Sequence, residues 1–264
     1  MPIWAYEIQP VPLALLMFAF GQVASLAGLF LARRYLLPRL EFSDGINDAI
    51  SGTVQAIGVF YGITVGLIAA GVWNTYSSSS DLVAREASCI SSLYHDVRSL
   101  PEPSRGQACS LLRRYVDCII EDDWPRQRQA RHGTQAVGVL DTLQDVLYDY
   151  EPRTEGDRVR YAEILASYNR VVQHRQLRID AVDGGLSTNM WFVIWAGAAV
   201  AIGVAYLFNI RDWKIHAGLV SLMAAFLGLL LFMIVVNDRP FYGEICIQPE
   251  SYRLLLAGPM CNTH

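Results

Sequence analysis

The chain has 264 residues, of which 53% are hydrophobic and only 17% charged, and its formal net charge is -4. Soluble domains carry about 25% charged residues, so a protein that is water-soluble along its whole length is disfavoured. Mild acidity without a basic stripe also excludes nucleic acid as a partner.

The first two of four apolar segments lie within residues 1–76. About 20 helical residues cross the hydrocarbon core of a bilayer. Val11–Ala32, Val54–Trp73, Met190–Ile210 and Ile215–Val236 each reach that length without an Asp, Glu, Lys or Arg. The first is too long for a cleavable signal peptide, has no basic residue before it and is followed at once by Arg33-Arg34, which read as a stop at the interface. Pro38 and the polar stretch Glu41–Asp48 lead to the second. Trp4, Tyr6, Trp73, Tyr76, Trp191, Trp195 and Trp213 flank the segments, as amphipathic rings do at headgroup level.

The second segment carries Gly58, Gly62 and Gly66 at four-residue spacing. On a helix they share one face. Small residues there serve either close packing against a neighbouring span or a face that lines a pore or an oligomer axis, with Phe60, Tyr61 and Thr64 beside it. No ionisable group lies at depth in any segment, which disfavours a proton-coupled transporter or redox pump. A pore with an apolar constriction needs none.

Residues 77–188 change to an amphipathic helical pattern. Ser77–Ser80 form a polar joint, and the apolar stripe Leu82, Ala87, Ile90, Leu93, Val97, Leu100 runs to a break at Pro101 and Pro103. A second helix carries Leu111, Leu112, Tyr115, Val116, Ile119 and Ile120 and closes at Trp124-Pro125. A third spans about Thr134–Tyr150. A fourth runs from Glu155 toward Ala181, with Ala162, Leu165, Tyr168, Val172 and Ile179 as its core face. Four such helices can bury one bundle core. The acidic run Glu121-Asp122-Asp123 reads as a solvated helix end rather than a cation site. No nucleophile elbow, phosphate loop or zinc signature occurs in the sequence. The reading is therefore not an enzyme, with no cofactor and no metal.

Residues 189–237 hold the third and fourth segments, with His216 expected at the interface. In the tail, residues 238–264, Asp238-Arg239-Pro240 leaves the bilayer, Glu244–Gln248 alternates like a short strand, and Pro249-Glu250 opens a short helix. The tail is expected to pack on the helical domain. The five cysteines read as small buried hydrophobes, with a Cys246–Cys261 disulfide an option in an oxidising compartment. The expected fold class is an all-α membrane protein: four transmembrane helices with a helical extramembrane bundle inserted between spans two and three. Both termini then lie on the bundle's side of a multi-pass inner-membrane protein. Arg33, Arg34, Arg39, Arg211 and Lys214 place the short connections in the cytoplasm, while Arg170, Arg175 and Arg178 pull the other way, so the orientation stays open.

Several of these residues form a recognisable pattern. Trp73, Glu86-Ala87, Leu93-Tyr94, Leu100-Pro101 and Asp122-Asp123-Trp124-Pro125, with the tail residues Asp238, Pro240, Phe241, Gly243 and Pro249, resemble the bestrophin-like domain family of bacterial membrane proteins. The resemblance covers about Ser51–Leu256. It implies kinship with bestrophins, pentameric anion channels with four spans, whose pore-lining second span Phe60-Tyr61 and Trp73-Asn74 resemble. The acidic run that holds calcium in bestrophins is absent here, with only Glu244 nearby. The implied protein is an oligomeric ion channel, with lipid, further copies of the chain and small inorganic ions as partners and the second span lining the pathway. The alternative is a non-conducting scaffold or sensor acting through the helical domain.

Overall fold

In a computed structural model of the chain, residues 9–39, 45–129, 131, 133–243, 246–258 and 260 are described. Trp4, Tyr6, Glu41, Glu244 and Cys261 lie outside the described residues. The described residues are all helix and connection, without a strand. Four helices are long and apolar enough to cross a membrane.

Helix α1 (Pro10–Leu31) starts on a proline in its first turn, where the missing N–H costs nothing. It passes through a π-helical stretch, Ala32–Leu36, and ends in a short turn, Leu37–Arg39, that contains Pro38. Helix α2 (Ile46–Val97) runs 52 residues without a proline. Its polar joint stays helical, and Ser78 and Ser79 satisfy their hydroxyls by donating back to the Thr75 carbonyl at 3.0 and 2.8 Å. The helix ends at Val97, four residues before Pro101, and a turn covers the interval.

Helix α3 (Ser104–Cys118) does not close at Trp124-Pro125. A π-helical turn, Ile119–Asp123, carries it into α4 (Trp124–Gln127). The proline, which cannot donate to the preceding turn, sits at the start of α4, where no such bond is required. Helices α5 (Gln135–Tyr148) and α6 (Glu155–Val182) follow. A capping box opens α6: the Asp157 N–H donates to Thr154 Oγ1 and the Thr154 N–H to Asp157 Oδ2, both at 3.1 Å. Helices α7 (Thr188–Ala205) and α8 (Trp213–Asp238) are the last two apolar ones, and α9 (Glu250–Ala257) is the short tail helix.

The chain divides into two compact units: Met1–Asn74 with Gly185–Asp238, and Thr75–Gly184 with Arg239–His264. In the first unit, Leu13 of α1, Val65, Ala69 and Val72 of α2, Trp191 and Ile194 of α7, and Leu231, Ile234 and Val235 of α8 form one buried cluster. A smaller cluster joins Leu29, Ala205 and Val220. His216 is buried among the helices, and a ring nitrogen lies 3.1 Å from the Ala205 carbonyl. Lipid supplies little drive to bring helices together, and many large apolar side chains of this unit are exposed.

The second unit inverts that pattern. The stripes of α2, α3 and α5 meet in one core that includes Ile90, Leu93, Val97, Leu112, Tyr115, Ile119, Leu140 and Leu143, and the tail adds Phe241, Ile247, Tyr252 and Leu255. On α6 the buried face differs from the expected one. Ile164, Ser167, Tyr168, Val171, Arg175, Arg178 and Val182 are buried, whereas Ala162 and Val172 are exposed. The apolar periodicity misled because two arginines occupy core positions. Cys246–Gln248 is not a strand; the Ile247 N–H donates to the Pro240 carbonyl at 2.8 Å. Cys246 accepts from Arg128 Nε at 3.1 Å; the disulfide option involves Cys261, which lies outside the described residues.

Candidate functional site

Two places concentrate the residues singled out by the sequence, one in each unit. The first is the membrane-length part of α2. Val65, Ala69 and Val72 turn to the core. Tyr61 also lies on the packed side: its hydroxyl donates to the Ile194 carbonyl at 2.9 Å, and its ring covers Gly197 so closely that a Cβ there would run into it. The remainder of the helix surface is open. A Cβ added at Gly58, Gly62 or Gly66 would meet nothing within 4 Å. Close packing within the chain is therefore not what the three glycines do. Phe60 is 73% exposed, and the exposed Thr64 hydroxyl donates to the Phe60 carbonyl at 2.8 Å. This face is free of charge. It can be covered by lipid or by another copy of the chain, and it can border a narrow path.

The second place is a buried charged cluster in the second unit. Glu86 of α2 is fully buried. Its Oε1 accepts from the Tyr115 hydroxyl of α3 at 2.9 Å, and its Oε2 accepts from the Tyr252 hydroxyl of α9 at 2.9 Å and from Arg178 Nε of α6 at 2.6 Å. Arg178, also fully buried, reaches Asp123 Oδ2 at 3.5 Å with its Nη2. Its guanidinium carbon lies 5.6 Å from the centre of the Trp124 ring, a cation–π distance. Trp124 donates its indole N–H to the Ile247 carbonyl at 2.9 Å and meets Tyr252 and Phe241 edge-on. One carboxylate thus ties three helices and the tail together.

Burying charge is costly unless it is paired and hydrogen-bonded, and the cluster's electrostatics follow from that. Burial and then the Glu86 charge push both tyrosine hydroxyls well above their ordinary range. Burial is the largest influence on Arg178 and works against its charge, but Glu86, Tyr252 and Tyr115 together outweigh it and hold the guanidinium firmly protonated. Burial raises the Asp123 carboxyl, while Arg178 and Arg175 pull it down. Asp123 is 1% exposed, so the acidic run is not a solvated end. The extra residue of the π turn rotates the chain beyond it and carries Asp123 inward, while Asp122 pairs with Arg126 at 2.7 Å. Among the described residues no group of acidic, His and Cys side chains is arranged to hold a metal.

The structure brings some of the patterned residues together and leaves others apart. Glu86, Trp124 and Phe241 meet in or against the cluster. Tyr94 is buried in the same core, whereas Pro101 and Pro125 are exposed at the ends of helical stretches. Pro240 and Pro249 are buried in the tail; Gly243 has a φ of 71°, which favours glycine, and its N–H donates to the Arg128 carbonyl at 3.3 Å. Trp73 is 53% exposed on α2. Asp238, in the first unit, accepts from the Leu186 N–H at 2.6 Å, which closes the end of α8 onto the start of α7. Sequence reasoning missed Arg178 and Tyr252. The signal was present for Arg178: it lies seven residues after Val171, on the buried row of α6.

Four apolar helices joined to an all-helical water-type core define an all-α, multi-pass membrane protein. The chain belongs to the Bestrophin-like domain family, which matches residues 19–252. Crystal structures of two point mutants of a bacterial bestrophin homologue from Klebsiella pneumoniae are similar in fold, each with a TM-score of 0.68 over 95% of this chain and 99% of theirs at 9% identity. A crystal structure described as a membrane protein aligns with a TM-score of 0.69 over 94% of this chain and 98% of its own at 10% identity. No curated protein matches the chain.

Proposed function

We propose that the protein is an oligomeric, channel-like membrane protein that passes small inorganic ions, with the α2 segment Val54–Trp73 lining the pathway. In this reading the four apolar helices span the inner membrane. The helical unit inserted between the second and third spans faces water, on the same side as both termini. The family and the fold of its solved relatives support the reading. The observation that carries it is the open, uncharged face of α2, where Gly58, Gly62 and Gly66 touch nothing within the chain. In a single protomer the close approach that these glycines permit is unused; in a ring it is available to neighbouring copies.

Particle images of the purified protein are expected to show a ring with a central path, and reconstituted liposomes are expected to pass ions. Gly62→Leu fills space that is open in the protomer, so the protomer should fold while assembly or conduction is disturbed. Normal assembly and flux in that variant would remove α2 from the pathway. Assembly without flux in the unaltered protein would favour a non-conducting scaffold or sensor acting through the extramembrane unit.

A further inference from the structure

The second unit carries, apart from its buried cluster, a surface groove of about 660 Å³. Its charged lining is Arg98, just after α2, with Glu102, and Arg105, Arg113, Arg114 and Asp117 on α3: four guanidinium groups against two carboxylates. Arg105 is already neutralised. Its Nε and Nη2 donate to Glu102 Oε1 at 2.8 and 2.7 Å, and the Gly106 N–H donates to Glu102 Oε2 at 3.0 Å. The Arg105 hydrogen bond and then the Gly106 N–H hold the Glu102 carboxyl below its ordinary range.

That leaves Arg98, Arg113 and Arg114 facing one carboxylate, Asp117. Arg113 spends one nitrogen on the Met260 carbonyl at 3.3 Å. Arg98 and Arg114 make no hydrogen bond or ion pair among the described residues. The floor is the buried Tyr94. Three guanidinium forks around one cavity match a multi-oxygen, doubly charged anion better than a halide, because each fork offers parallel N–H donors. The groove's volume lies in the range of small-molecule sites, about 300–1,000 Å³, which leaves room for the body of an ester behind its phosphate.

We propose that this groove binds a phosphate-bearing molecule through Arg98, Arg113 and Arg114. The phosphate can belong to a free solute or to a lipid headgroup; the chemistry of recognition is the same.

The test uses the full chain in detergent and inorganic pyrophosphate as the probe, with thermal unfolding followed by tryptophan fluorescence at constant ionic strength. The expected result is a saturable rise in melting temperature. In the double variant R98Q/R114Q, whose altered side chains are exposed, the apparent affinity should fall on the order of tenfold or more. Arg158→Gln, outside the groove, should leave it unchanged. A rise that sodium chloride reproduces at equal ionic strength, or one that survives in the double variant, would overturn the proposal. Repeating the titration in phosphatidylcholine nanodiscs with and without phosphatidic acid separates the sources. Loss of pyrophosphate binding with phosphatidic acid marks the headgroup as the occupant; retained binding marks a free solute.

Discussion

The two units of this chain use the same apolar residues in opposite senses. In the first, Phe60, Leu67, Phe192 and Leu222 are each more than 70% exposed, and the contacts that hold the helices involve small or neutral groups, such as Gly197 under Tyr61. In the second, nearly every apolar stripe is inside, and so are Glu86, Asp123 and Arg178. The difference is the one expected between helices that meet lipid and helices that meet water. Where lipid surrounds a helix, an outward leucine costs nothing and association depends on close fit. Where water surrounds it, apolar burial supplies enough free energy to carry a charged cluster inside, provided that cluster is paired.

The largest expected effect tests that last condition. Glu86→Ala leaves Arg178 buried without its main partner and strips two tyrosine hydroxyls of their acceptor. Breaking a buried pair in this way costs about 3–5 kcal/mol, read as a lowered melting temperature of the second unit by Trp124 fluorescence. Replacing both Glu86 and Arg178 by Met should recover part of the loss, because the arginine's charge goes together with its main partner and Asp123 keeps Arg175 nearby. If the double variant is no more stable than Glu86→Ala, the charge pairing does not hold this unit together.

Next in size is a contrast within the first unit. Gly197→Leu runs into Tyr61 and should cost about 1–3 kcal/mol, as overpacking does, lowering thermal stability in detergent. Gly62→Leu meets open space and should leave that stability nearly unchanged, whatever it does to assembly. Equal losses at the two positions in dissociated protomers would mean that the α2 face is covered within the protomer after all. Smaller again is Thr154→Ala, which removes the α6 cap and should cost about 1 kcal/mol, seen as earlier exchange of the first-turn amides of α6.

Much of this fold is legible in the sequence because its two solvents leave different marks. Four uncharged runs of membrane length stand out by composition alone, and the stripes of α2, α3 and α5 follow the helical period into the core. Three features escape that logic for physical reasons. The buried face of α6 contains Arg175 and Arg178, and a periodicity search for apolar residues slides past charged ones. The π turn at Ile119–Asp123 shifts the register by one residue, so an acidic run that looks solvated turns one member inward. The tail segment Glu244–Gln248 has the alternation of a strand but no partner edge among the described residues. The glycines of α2 were visible from the start; only coordinates could distinguish their two readings within the chain, since a four-residue spacing is the same whether or not a neighbour fills it.

The smallest expected effect concerns Asp123 and sharpens the contrast between paired and merely buried charge. Burial raises its carboxyl above the ordinary value of 3.8, against Arg178 and Arg175. An acid raised on folding holds its proton more tightly in the folded state, so its share of stability is present at low pH and declines as pH rises from 3.8 through the raised value. Asp123→Asn keeps the shape, removes the titration and should flatten that part of the stability–pH curve of the second unit. A slope that persists unchanged in Asp123→Asn would mean that Asp123 does not carry it. A variant that is instead clearly less stable at neutral pH would show that the 3.5 Å contact with Arg178 outweighs desolvation, and Asp123 would then join Glu86 as a full partner of the arginine.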